Sequence, residues 1–128
     1  MKIFNKKAPH PIGPYSQGIK INNILMISGQ IPIEKNNSIK TKKIFLQTKI
    51  VLNNIKKILK SSKMKVKNIV KTTIFTTKLN KIKEINKAYE KFFLKNNTLN
   101  FPARSCIEVK KLPKNSKIEI EAIAIKKK

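Results

Sequence analysis

A chain of 128 residues is long enough for one domain with a real core and too short for two. It carries 30 Lys and Arg against 6 Asp and Glu, a formal charge of +24, with a single Cys and no Trp. No run of about 18 apolar residues exists, so no transmembrane helix is expected, and one cysteine excludes an internal disulfide.

In chain order, the first punctuated stretch is APHPIGPYSQG at 8–18, where three prolines and two glycines forbid a helix. An ordered loop is expected there, after an N-terminus without a secretory signal. Residues 19–31, IKINNILMISGQI, read as two β segments joined by a turn at Asn22-Asn23. ILMIS is a continuous apolar run, as expected of a strand covered on both faces. Over 42–62, Ile44, Phe45, Thr48, Val51, Leu52, Ile55, Ile58 and Leu59 recur at helical spacing, predicting an amphipathic helix.

VKNIVKTTIFTTK at 66–78 is rich in β-branched residues and predicts a strand. Asn80 is placed to cap a second helix over about 81–96, with Ile82, Ile85, Tyr89, Phe92 and Phe93 on one face. ARSCIEVKKL and KIEIEAIAIK, split by Pro113-Lys114-Asn115, predict the last two strands. The order is β-β-β-α-β-α-β-β, a two-layer α+β domain with two helices on one face of a mixed sheet. In the last strand Ile118, Ile120, Ala122 and Ala124 share one face, and Glu119, Glu121, Ile123 and Ile125 share the other. Both faces carry apolar residues and no third helix is available, so the open side should pack on other subunits.

The lysines are spread along the chain, all six acids are Glu, and Ile and Asn are enriched. Lys, Ile and Asn have A/T-rich codons, so a solvated basic surface from drift in a base-biased genome is expected over a nucleic-acid or anionic-lipid site; non-specific RNA binding at low salt follows either way. One His and one Cys build no metal site, and glycines at 13, 18 and 29 match no phosphate-binding loop. His10 reads as an exposed bystander.

Arg104, in NFPARSCIEV, is the only arginine among 29 lysines. Its planar fork binds a carboxylate through two parallel hydrogen bonds, which lysine cannot imitate. A structural arginine pairing with Glu or carbonyls explains the same choice, and the residues alone leave both readings open. Cys106 shares a strand face with Arg104, either as a small buried hydrophobe or as a nucleophile. Glu119 and Glu121 also share a face, where a carboxylate at a subunit interface would have a raised pKa and serve as acid or base; parity does not choose between them. Tyr15 supplies a phenol to a ligand or to the core, and Ser28-Gly29 end a strand where backbone can approach closely.

Six collinear segments, IGPYSQG, ISGQIP, VKTTIF, NKAYEKFF, FPARSCIEV and KIEIEAIA, are similar to the reactive-intermediate (enamine/imine) deaminase, or RidA, family over essentially the whole chain. The resemblance implies a chorismate-mutase-like fold, a homotrimer with an inner barrel, and a site in each subunit cleft; a cytoplasmic protein is expected separately, from the single cysteine. It implies hydrolysis of 2-imino acids such as 2-iminobutyrate and 2-iminopropionate to 2-keto acids and ammonia, without metal or organic cofactor. By that resemblance Arg104 clamps the substrate carboxylate, Glu119 orients water, and Tyr15 closes one wall. Ser28, Gly29, Asn86 and Cys106 line the pocket, Cys106 as a wall. The segment KNNSIK at 35–40 is a shorter loop than the family usually carries. Relatives have also been assigned ribonuclease and translation-inhibitor roles. An RNA-directed protein and a chaperone-like metabolite binder are therefore the competing expectations, the first weakened by few aromatics to stack bases.

Overall fold

The computed structural model describes residues 1–34 and 36–127. Lys35, in the 35–40 segment expected to be a short loop, and Lys128, last of the terminal lysines, lie outside the described residues. The strands are β1 (Lys2–Ile3), β2 (Gly18–Ile21), β3 (Ile24–Gln30), β4 (Ile69–Thr76), β5 (Ala103–Glu108) and β6 (Ile118–Ile125). The helices are α1 (Ile44–Ser61) and α2 (Ile82–Lys95). They follow the expected order, with β1 supplying the third N-terminal strand, for which no segment of the sequence carried a signal. The strands form one mixed sheet ordered β1-β2-β3-β6-β4-β5, antiparallel except for the β4–β5 pair. A parallel pair needs a crossover, and α2 supplies it between β4 and β5.

Both helices lie on one face. Val51, Leu52, Ile55, Ile58 and Leu59 of α1 are fully buried, as are Ile85 and Phe93 of α2. They meet Leu25, Ile74, Ile118 and Ile120 of the sheet in one core. The 3.6-residue stripe of each helix is thus matched to the two-residue alternation of the strands. Polar residues of α1 tie that helix to the loops flanking the sheet strands. The buried amide of Asn54 donates to the carbonyls of Ile31 and Ile33. Gln47 accepts from the Lys117 amide and donates to the Thr41 carbonyl.

Three boundaries differ from expectation. Residues 66–68 form a short 3-10 turn, closed by the Asn68 side chain accepting from the Lys65 amide, so β4 begins at Ile69. Asn80 does not cap α2; a second 3-10 turn at Leu79–Lys81 feeds the helix directly, and Lys81 stands at the N-cap with no side-chain bond. β5 stops at Glu108, where its pairing with Thr76 ends. The expected turns hold: Asn22, Lys114 and Asn115 all adopt positive φ, which asparagine tolerates well.

The other sheet face is open. In β6, Ile118, Ile120, Ala122 and Ala124 are at most 4% exposed, whereas Glu121 and Ile125 are exposed and Glu119 and Ile123 half-buried. Across the β3–β6 ladder Ile24 pairs with Ile125 and Met26 with Ile123, so four large apolar side chains form one contiguous strip. ILMIS is therefore covered on one face only within a single chain, with Met26 55% exposed.

A candidate active site in two halves

The first half lies on the open face. A cleft of about 390 Å³ is lined by Ile12, Tyr15, Ser28, Gly29, Ile31, Pro113, Glu119 and Glu121. The proline-rich loop reaches it because Gln17, 1% exposed, anchors the loop from inside. Its side chain accepts from the Asn5 amide at 2.7 Å and donates to the carbonyls of Pro9 and Asn5. The Asn5 side chain in turn donates to the Lys57 carbonyl of α1. The Ser28 amide donates to the Gln17 carbonyl, and Ser28 Oγ donates to the Ser16 carbonyl at 2.6 Å. The Tyr15 phenol oxygen accepts from the Ile12 amide at 3.3 Å, leaving the O–H proton for another acceptor.

The β3–β6 register shifts between Ile27 and Gln30, a bulge at Ser28-Gly29. The Glu119 carboxylate packs against Gly29 so closely that a Cβ there would overlap it. Burial, and then the neighbouring Glu121 charge, hold the Glu119 carboxyl above the ordinary carboxylate range. The two carboxylates of the shared face differ in environment: Glu119 is half-buried against the bulge, and Glu121, which lines the same cleft, is exposed. Gly29→Ala should leave melting within a few degrees of the parent, since only the end of a flexible side chain must move. With the Glu119 carboxylate displaced from the cleft, turnover should fall roughly tenfold to a hundredfold if Glu119 handles a proton. Thermal melts and steady-state rates on the same preparation check this.

The second half is on the other side of the sheet. The β4–β5 register sets Arg104 beside Thr72 and Cys106 beside Ile74, both core residues under the helices. Arg104 and Cys106 thus share a face, as their spacing predicts, and it is the helix-covered one. Arg104 Nη1 donates to Asn86 Oδ1 of α2 at 2.8 Å. The guanidinium carbon sits 5.1 Å from the Tyr89 ring centroid, within cation–π range. The Tyr89 hydroxyl is itself hydrogen-bonded to Thr72 at 2.7 Å. Burial raises the Cys106 pKa against a smaller lowering by Arg104, which keeps the sulfur a thiol.

Within one chain the two halves do not meet. Glu119 lies opposite Phe75, and Arg104 is level with Ala122 through Thr72. Two strand spacings and three residues separate them, about 10 Å across and about 10 Å along the sheet, on opposite faces. Of the residues expected at the site, Tyr15, Ser28, Gly29 and Glu119 come together in one half, and Arg104, Asn86 and Cys106 in the other. Gln17 and Tyr89 had no site role in the sequence reading. Gln17 sits inside the IGPYSQG motif, immediately before β2, and motif membership is the one signal the sequence offers for it. Tyr89 falls on the core face of the predicted helix, and helical spacing carries no signal for its contact with Arg104. His10 is exposed, as expected, with its ring against Phe4.

The chain matches the family model described as Endoribonuclease L-PSP over residues 5–126. It is 58% identical to a RutC family protein of Buchnera aphidicola subsp. Acyrthosiphon pisum, covering 98% of this chain and 97% of that one. It is 44% identical to the 2-iminobutanoate/2-iminopropanoate deaminase of Escherichia coli K12, covering 98% and 97%. Among solved structures, Escherichia coli TdcF with bound serine superposes with a TM-score of 0.95 at 38% identity, covering 99% of both chains.

Proposed function

The chain belongs to the RidA family, described as Endoribonuclease L-PSP, and from that membership and the two half-sites we propose that it hydrolyses 2-imino acids to 2-keto acids and ammonia. One observation carries the reading. The only guanidinium in the chain is held by Asn86 through a single nitrogen, and among the described residues its remaining donors have no partner. A planar donor fork backed by an aromatic ring suits a substrate carboxylate. The relative with bound serine is a protein that holds a small amino acid.

In this reading the protein is a homotrimer, and the apolar strip of Ile24, Met26, Ile123 and Ile125 is buried between subunits. Each cleft then joins the Arg104 half of one subunit to the Glu119 half of its neighbour. Arg104 fixes the carboxylate, which places the C=N carbon within reach of a water on Glu119. Glu119 accepts a proton from that water as its oxygen bonds to carbon and passes it to the imine nitrogen, giving a tetrahedral amino alcohol. It then takes the hydroxyl proton as the C–N bond breaks and returns it to the nitrogen, which leaves as ammonia. The Tyr15 O–H donates to the nitrogen or the water. Water adds and ammonia leaves, so atoms balance with no redox change. Cys106 stays a wall, since a thiol held protonated is a poor nucleophile and the bound imine needs no covalent step.

The test feeds 2-iminobutyrate from a threonine dehydratase and follows 2-ketobutyrate with and without this protein. Faster release is expected; an unchanged rate overturns the reading. Its pH dependence is a further expectation. The working form of Glu119 is the carboxylate and its pKa is raised, so kcat/KM should fall as pH drops through a value above the ordinary Glu range. Glu121→Gln removes the second cause of that shift. The acid limb should move to lower pH in this variant, read from pH–rate profiles of the two proteins.

A further inference from the structure

We propose that the groove between α1 and α2 on the outer face is a docking site for an acidic amphipathic helix of a partner protein. The groove holds about 240 Å³ and runs from Phe45 past Lys49, Asn53 and Lys56 on α1, against Ala88, Lys91, Phe92 and Lys95 on α2. Its floor is apolar: Ala88 and Phe92 are 4% and 6% exposed, and Phe45 is half-buried at one end. Its rims are ammonium groups, two from each helix.

Some lysines of the chain are already engaged, whereas these four, like many others on the surface, are not. Lys20, Lys114, Lys117 and Lys126 donate to backbone carbonyls. Lys40 and Lys81 pair with glutamates. Among the described residues, Lys49, Lys56, Lys91 and Lys95 make no hydrogen bond or ion pair; Lys91 only overlies the Phe45 ring at 5.5 Å. Four unpaired like charges around an apolar slot repel one another, and a carboxylate-bearing occupant relieves that repulsion while covering the floor.

The dimensions suit a helix. From Phe45 to Lys56 the α1 wall is about 17 Å long, some three helical turns. An occupant with apolar residues at i, i+4 and i+7 and glutamates flanking them matches floor and rims together. A nucleic acid fits less well, because bases need open aromatic faces to stack on, and Phe92 is buried while Phe45 is already covered by Lys91. The groove lies on the helical layer, away from the open sheet face, so subunit assembly through that sheet leaves it accessible.

The test uses a fluorescein-labelled synthetic peptide of about 14 residues with that pattern. Its anisotropy is titrated with the full-length protein. Saturable binding is expected. Lys91→Glu with Lys95→Glu should weaken it at least tenfold, about 1.4 kcal/mol, and Phe45→Ser should weaken it without a charge change. Lys126→Glu with Lys127→Glu alters the net charge equally outside the groove and should leave affinity unchanged. These side chains are exposed or half-buried, and circular dichroism confirms that each variant is folded. Equal binding of a scrambled peptide of the same composition overturns the proposal, as does equal weakening by the Lys126/Lys127 variant. Preferential binding of a single-stranded oligouridylate, lost with the same groove lysines, would assign the groove to RNA and overturn it too.

Discussion

Arg104→Lys should lower kcat/KM for 2-iminobutyrate by roughly 10²- to 10³-fold, about 3–4 kcal/mol of transition-state stabilisation. The positive charge remains, so a general electrostatic role would survive the change. What disappears is the planar fork, with one nitrogen on Asn86 and the others, in the proposed function, available to the substrate carboxylate, and the stacking on Tyr89. A lysine ammonium reaching from the same strand position offers a point charge with no preferred plane. The imine carbon then samples many positions relative to the water on Glu119. The melting temperature should hardly change, because Arg104 is exposed and its removal empties no core volume. An active Lys variant would instead make Arg104 a structural residue and remove the main support for the deaminase reading.

Mixing two inactive variants should restore activity. In one chain Arg104 and Glu119 lie on opposite faces of the sheet, so a site holding both must draw them from different subunits. Arg104→Ala and Glu119→Gln chains, each folded and each inactive, are combined, unfolded and refolded together. With random assembly into trimers, each cleft takes its two halves independently. About one cleft in four then pairs an intact Arg104 with an intact Glu119, and activity should approach a quarter of the parent. A site contained within a single chain would recover none. The two experiments fail separately: the mixture tests who supplies each half, and the Arg104→Lys variant tests what one half does.

Much of the fold was legible because periodicity is a local property. The helical stripe from Ile44 to Leu59 and the alternation IEIEAIAI each predict an element and a face, and the core uses both. Two of the three misplaced boundaries, at Val66 and Asn80, fall where 3-10 turns replace a strand end and a cap. There a few backbone bonds decide, and β-branched composition carries no signal for them. Buried Gln47 and Asn54 were unreadable for a related reason, since their partners are carbonyls or amides on the loops at Thr41, Ile31, Ile33 and Lys117.

The candidate residues were also legible, singly. A lone arginine among 29 lysines singles out Arg104 without choosing between a fork and a structural role, and Gly29 marks a place where a neighbour can approach the backbone closely. By itself the sequence determined which residues share a face within each strand: Arg104 with Cys106, Glu119 with Glu121. That follows from the two-residue repeat of a strand. Only the tertiary structure decided how those faces relate. Register and connection set them, and the α2 crossover lays β5 parallel to β4 with Arg104 beside the buried Thr72. The antiparallel β4–β6 pairing puts Glu119 beside Phe75 on the open side. Side-chain parity is fixed along a strand but not between strands, which is why the separation of Arg104 from Glu119 could be seen only in the folded chain.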